Sequence, residues 1–174
     1  MTATPEIATK YVDTCPEPNP PPTSVIVDAS NIAFAGALAD GRPRLKPLCY
    51  VIDELQRFAI ANVVIADASL RHRIDDRPAY EALVRSRFIL QAPAGTAADR
   101  YMVLLAQKRQ AEGERVLVLT DDRLADQNAP GLKRMTYMVV GDNEVLFDPP
   151  LKGLSTRQTE PYGQQQSMLE GRPL

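Results

Sequence analysis

The stretch SVIVDASNIAF, residues 24–34, drives a short apolar, β-branched run into a carboxylate at Asp28 and sets an amide, Asn31, three residues further on. Other acids stand in comparable places. Asp67 follows the run Val63 to Ala66, Asp122 follows Val116 to Leu119, and Asp99 opens a helix-like stripe, with Asp126 one helical turn beyond Asp122. In open α/β sheets ligands sit outside the carboxyl ends of the strands, so parallel strands would bring these acids to one edge. Carboxylates crowded together repel strongly unless a cation neutralises them. Oxygen ligands without His or Cys suit Mg²⁺ or Mn²⁺.

Each acid also has a structural reading. Asp28 can cap a turn through an Asx-type hydrogen bond involving Asn31. Thr96-Ala97-Ala98-Asp99 is a variant capping box in which Asp99 complements a helix N-terminus. Asp122 can be an N-cap with Asp126 solvated behind it, and Asp67, before Ala68-Ser69, can simply begin a loop. Taken one at a time these readings are the stronger. Convergence on one edge shifts the balance to a metal site.

The elements that must position the acids alternate. Val25 to Val27, Val63 to Ala66, Phe88 to Leu90 and Val116 to Leu119 are short continuous apolar runs, as expected of strands buried on both faces. Between them, Leu48, Val51, Ile52, Leu55 and Ala59 recur at helical spacing behind Pro47, Pro78 to Arg85 forms a shorter helix, and Ala98, Met102 and Leu105 stripe another that stops near Gly113. Thr136 to Val140 and Val145 to Phe147 flank Gly141-Asp142-Asn143 and read as a closing strand or hairpin. Strands alternating with helices predict a mainly parallel sheet covered on both sides.

The 174 residues, 44% hydrophobic, fit one domain. Residues 1–23, rich in proline, and residues 154–174, rich in glutamine, read as disordered tails around a folded part at residues 24–153. No apolar run approaches the roughly 18 residues needed to span a bilayer, and the N-terminal residues lack the apolar block of a signal peptide. These points predict a cytoplasmic protein without a membrane partner. Two cysteines and one histidine, His72, form no disulfide framework and no zinc-ligand spacing. The net charge of −2 argues against coating nucleic acid by bulk positive charge, but not against a site of carboxylates with a local basic rim. The rim candidates are Arg71 and Arg73 with Arg77, and Arg100 beside Asp99, since the guanidinium fork matches phosphate oxygens.

The ordered segments VIVDASNIAF, IDDRPAYEALVRSRFILQAP, AADRYMVLLA, VLTDDRLAD and RMTYMVVGDNEVLFDPPLKG resemble the successive motifs of the NYN ribonuclease domain of the regnase type, a branch of the PIN-like nucleases. The resemblance covers residues 24–153. It implies a Rossmann-like PIN/NYN three-layer α/β/α sandwich with a central, mostly parallel sheet, and Mg²⁺-dependent endoribonuclease cleavage of single-stranded or stem-loop RNA. By motif, Asp28 and Asn31 match the family's D-x-S-N, Asp76 the acid before the second expected helix, Asp99 the acid of D-R-F/Y, and Asp122 with Asp126 the S/T-N-D…D segment. On this reading Asp28, Asp99, Asp122 and Asp126 hold the ion, Asn31 orients water or a carboxylate, and Asp76 joins Arg71, Arg73, Arg77 and Arg100 around the RNA. In-line attack would leave a 5′-phosphate and a 3′-hydroxyl. PIN-like relatives also make a homodimer an expectation.

Two positions depart from the pattern. Ala98 stands where the family often has a first acid, and Asp121 where it has an asparagine. The zinc finger of the animal relatives is also absent. The competing readings are a catalytically silent RNA- or protein-binding domain and a nucleotide-binding α/β protein, the latter weakened because neither a G-x-x-x-x-G-K-[ST] nor a G-x-G-x-x-G loop occurs.

Overall fold

The computed structural model describes residues 23–93, 95–122, 131–140 and 144–154. Of the expected tails, residues 1–23 and 154–174, all but Thr23 and Leu154 lie outside them, as does the candidate ligand Asp126. Thr23 opens the first strand and Leu154 is buried in the core, so both belong to the folded part. The elements in chain order are β1 (Thr23–Asp28), α1 (Ala29–Ala35), α2 (Leu45–Arg57), β2 (Ala61–Ala66), α3 (Arg77–Arg85), β3 (Ile89–Gln91), α4 (Ala98–Ala111), β4 (Arg115–Leu119), β5 (Lys133–Val140) and β6 (Glu144–Asp148). A 3₁₀ turn at Leu70–His72 lies between β2 and α3.

The six strands form one sheet in the order β3-β2-β1-β4-β5-β6. All neighbours are parallel except β5 with β6, an antiparallel hairpin in which Thr136 faces Asp148 and Val140 faces Glu144. This is a Rossmann-like α/β/α sandwich of the PIN/NYN type. The order reverses between β1 and β4, which creates the crevice where such sheets bind ligands.

Strand alternation divides the core into two layers. Val25, Val27, Val64, Leu117, Leu119 and Met135 point to the side of α1, α2 and α3, where Ile32, Leu48, Val51, Leu55 and Tyr80 meet them. Ile26, Ile65, Val116 and Val118 point to the other side and pack on Ala98, Met102, Val103 and Ala106 of α4. Ile26 and Ile65 are fully buried, and removing such a side chain from water contributes roughly 1.5–3 kcal/mol. Beyond the reach of α4 the same face carries Met138 and Leu146, cross-strand partners that are both exposed.

Short-range chemistry sets the helix ends. The side chain of Asp76 accepts from the Ala79 N–H at 3.0 Å and Pro78 occupies the first turn, which starts α3. Helix α2 begins earlier than expected, at Leu45, because Asp75 Oδ1 accepts the Leu45 N–H at 2.8 Å. Gly113 adopts φ 87° just past the end of α4, as a C′ residue does. Gly36 closes α1 where a Cβ would lie 2.6 Å from Pro47 Cγ, so α1 and α2 approach closely only with glycine there. No described helix is long and apolar enough to cross a membrane.

Candidate active site

Asp28 is the last residue of β1 and the N-cap of α1, and its side chain is only 5% exposed. The Asn31 N–H donates to its Oδ1 at 2.9 Å, and the Thr120 hydroxyl donates to its Oδ2 at 3.1 Å. The expected Asx-type bond is therefore present, and it does not exhaust the carboxylate. Burial raises the pKa of Asp28 to about 6, and the charges of Asp99 and Asp67 raise it further against the two hydrogen bonds that lower it.

The D-A-S-N segment links three strand ends. Ser30 Oγ accepts the Asp67 N–H at 3.0 Å, which holds the end of β2 against α1. Oδ1 of Asn31 accepts the Asp121 N–H at 2.9 Å and the Tyr137 hydroxyl at 2.6 Å. With its oxygen committed to two donors, the amide of Asn31 has one orientation, and its NH₂ is the group left to face the edge. Burial, with the charges of Asp121 and Asp28, pushes the Tyr137 phenol well above its ordinary range, so it remains a proton donor.

Thr120, fully buried after β4, donates to Asp28 and accepts the Asp122 N–H at 3.1 Å. One hydroxyl thus couples the ends of β1 and β4. The guanidinium of Arg134 donates to the Asp122 carbonyl at 2.8 Å, fixing that backbone from β5.

Asp99 lies in the first turn of α4, half-buried. Burial raises its pKa, and the charges of Asp122 and Asp67, both within electrostatic reach of it, add to the rise. The capping-box reading of Thr96 and Asp99 does not hold. Ala97 is the N-cap and makes no side-chain bond, while Asp67, from the end of β2, accepts the Ala98 N–H at 3.3 Å. Asp67 therefore brings a carboxylate to the very residue, Ala98, where the resembled motif has its first acid. Ala98 itself is buried at 2% exposure against the sheet.

The candidate RNA contacts lie along the β2–β3 flank. Arg71 and Arg77 both approach Glu81 Oε1, at 3.7 Å and 2.8 Å. The Arg73 guanidinium stacks over the Phe34 ring at 4.6 Å. Asp76 is the N-cap of α3, and Arg100 is exposed beside Asp99. Asp28, Asn31, Asp99 and Asp122 thus share the carboxyl edge, while Arg71 and Arg77 are drawn to Glu81 and Arg73 to Phe34. Ser30, Asp67, Thr120 and Tyr137 complete the arrangement. Only the S of D-A-S-N and the T preceding Asp121-Asp122 hinted at such supports in the chain.

No curated protein matches the chain. Among solved structures, Rae1 (YacP) from Bacillus subtilis is similar at 17% identity, with 66% of this chain and 69% of that chain covered and a TM-score of 0.43. The family described as Zc3h12a-like ribonuclease NYN domain matches residues 22–152, a span that contains every described strand and α-helix. The edge of acids and its D-A-S-N anchor thus sit inside the matched span, and the chain belongs to the Zc3h12a-like ribonuclease NYN domain family.

Proposed function

We propose that this ribonuclease-family domain is a divalent-cation-dependent endonuclease acting on single-stranded or loop RNA. The observation that carries the reading is the concentration of Asp28, Asp67, Asp99 and Asp122 at the switch point, with Asp28 raised to about 6. A structural cap needs one carboxylate, whereas a cation site gathers several at one edge.

The donor chemistry fits Mg²⁺ or Mn²⁺, since every candidate ligand is a carboxylate oxygen. Among the described residues no group of three or more His, Cys, Asp or Glu is already drawn close enough to hold an ion. Asp99 is half-buried and Asp122 exposed, and by this reading both would hold the ion together with Asp28, with Asp126 as a further ligand. Bound there, the ion supplies a Lewis acid that neutralises charge on the scissile phosphate and acidifies water.

The chain's own groups do the rest. Thr120 and the Asn31 N–H hold the Asp28 carboxylate in one rotamer. The NH₂ of Asn31, aimed by Tyr137 and Asp121, donates to the attacking water or to a phosphate oxygen. Arg100, beside Asp99, and Arg73 hold neighbouring phosphates, with Arg71 and Arg77, both drawn to Glu81, contacting the RNA beside them. Asp28 is recessed, so a phosphate reaches it only where the backbone can bend inward, which favours unpaired RNA. The products by this route are a 5′-phosphate and a 3′-hydroxyl.

A silent RNA- or protein-binding domain is the second reading, and Ala98 is the observation in its favour. Asp67 answers it by delivering a carboxylate to the same helix N-terminus. The test is cleavage of labelled single-stranded and stem-loop RNA by wild type and Asp99→Asn, with Mg²⁺ or Mn²⁺ and with a chelator. Cation-dependent cleavage lost in the variant is expected. An intact wild type that neither cuts nor gains thermal stability with Mn²⁺ is the silent domain.

A further inference from the structure

Beside the acid edge lies a cleft of about 170 Å³ lined by Arg71, Tyr80, Glu81, Val84, Arg85 and Gln91. Three elements build it. Arg71 comes from the 3₁₀ turn after β2, Gln91 ends β3, and the others belong to α3. The Tyr80 hydroxyl, which accepts from Gln91 Nε2 at 3.4 Å, feels the charges of both Arg71 and Asp67. Gln91 lies opposite Ala66, the residue before Asp67, so the cleft borders the acid edge there. Neighbouring strands are about 4.8 Å apart, so β3 lies about 10 Å from β1, one or two nucleotides along an extended RNA.

The lining has a distinct chemistry. Arg71 Nε is buried and, among the described residues, has no hydrogen-bond partner. Its terminal amines, on a side chain 42% exposed, are the donors it offers the cleft, and one of them stands 3.7 Å from Glu81. Arginines alone would suit a phosphate, but Glu81 shares the wall and would repel one. Its carboxylate is anchored by Arg77 at 2.8 Å and so presents a fixed acceptor. Gln91 offers both a donor and an acceptor, and Val84 contributes an apolar face. An acceptor beside donors matches the edge of a neutral base rather than an anion. A cavity of about 150 Å³ takes a benzene ring, so this cleft has room for one planar base.

We infer that this cleft receives a single unpaired base of the RNA substrate, and that it favours guanine. Adjacent N–H donors of guanine meet the Glu81 carboxylate, and its O6 and N7 acceptors meet Arg71. Adenine and the pyrimidines lack that paired arrangement of two donors beside an acceptor. The inference rests on the ribonuclease reading and adds to it a position where sequence is read.

The test is equilibrium binding in chelator, so that nothing is cut, of fluorescent oligouridylate and of the same strand carrying one central guanine, adenine or cytosine. Wild type is expected to bind the guanine strand about tenfold more tightly than the others. Glu81→Gln, which turns an acceptor into a donor, and Gln91→Leu should each reduce that discrimination to about twofold or less. A wild type indifferent to the base, or discrimination that survives both substitutions, overturns the pocket. Tighter binding of free guanosine monophosphate than of the guanine strand would assign the cleft to a nucleotide ligand and equally overturn it. A Mn²⁺ cleavage arm separates the two levels. Cutting of all four strands alike leaves the nuclease standing without the pocket, whereas neither binding nor cutting removes both.

Discussion

The Tyr137 hydroxyl donates to Oδ1 of Asn31 across 2.6 Å, the same oxygen that accepts the Asp121 N–H. A tyrosine of β5 thus determines which way an amide of α1 points. Tyr137→Phe keeps the packing and removes only that donor. We expect a melting temperature close to wild type, with about 1 kcal/mol lost, and a roughly tenfold fall in kcat as Asn31 loses its fixed orientation. Parallel melts and single-turnover cleavage check this, and an unchanged kcat would make Tyr137 merely structural.

Asp28 makes the pH dependence a matter of sign. Its pKa in the fold, about 6, lies above its ordinary 3.8. The folded chain therefore holds this proton more tightly than the unfolded one. The stabilisation is complete below about pH 4 and is lost as pH rises through about 6. A shift of that size corresponds to about 3 kcal/mol at most. In cation-free buffer, stability at about pH 8 should fall below that at about pH 5, and Asp28→Asn, which keeps an oxygen for the Asn31 N–H, should flatten the difference. Denaturant titrations at both pH values measure it. Cleavage should move oppositely, rising through pH 6 as the carboxylate ionises, and should vanish in the variant.

Asp67 separates capping from charge. Asp67→Ala removes the acceptor of the Ala98 N–H and should cost about 1 kcal/mol. Asp67→Asn retains an acceptor, so its stability should match wild type while cleavage drops about tenfold from lost negative charge at the edge. Equal activity in Asp67→Asn and wild type would reduce Asp67 to a cap.

Gly36 is a packing test far from the acids. A Cβ there would meet Pro47 Cγ at 2.6 Å, and the proline ring cannot turn aside. Gly36→Ala should destabilise by about 1–3 kcal/mol as α1 is pushed off α2. Because α1 carries Asn31, cleavage should fall with it. Chemical denaturation gives the first quantity and cleavage under folding conditions the second.

The central strands were legible because they are continuous apolar runs. The run Phe88 to Leu90, expected to be buried on both faces, forms β3 only at Ile89–Gln91 and leaves Phe88 and Leu90 exposed, because β3 is an edge strand. Val25 to Val27 marks β1, although the strand extends from Thr23 to Asp28 because neighbouring strands bury its polar ends. Helix α1 was not foreseen, since seven residues are too few to display a period. The helix placed at Leu48 to Ala59 starts instead at Leu45 and stops at Arg57, with Ala59 at φ 53°. Its start depends on Asp75, thirty residues away, which no local pattern shows. The acids at strand ends could be read for the same reason as the strands. Their supports could not, because Thr120 and Tyr137 act on Asp28 and Asn31 across separations of 92 and 106 residues. Asp67 read as no more than the start of a loop because its partner, Ala98, lies 31 residues further on, in α4.

The placement of β1 beside β4, with β2 and β3 on the far side of β1, also bears on synthesis of the protein. A ribosome releases Asp28 and Asp67 well before Thr120 and Asp122, and β1 has no partner on its second edge until β4 emerges. A nascent chain therefore carries half of its acids without the hydroxyl that fixes Asp28 or the carboxylate that opposes it. The carboxylate edge is therefore completed only once β4 has been synthesised.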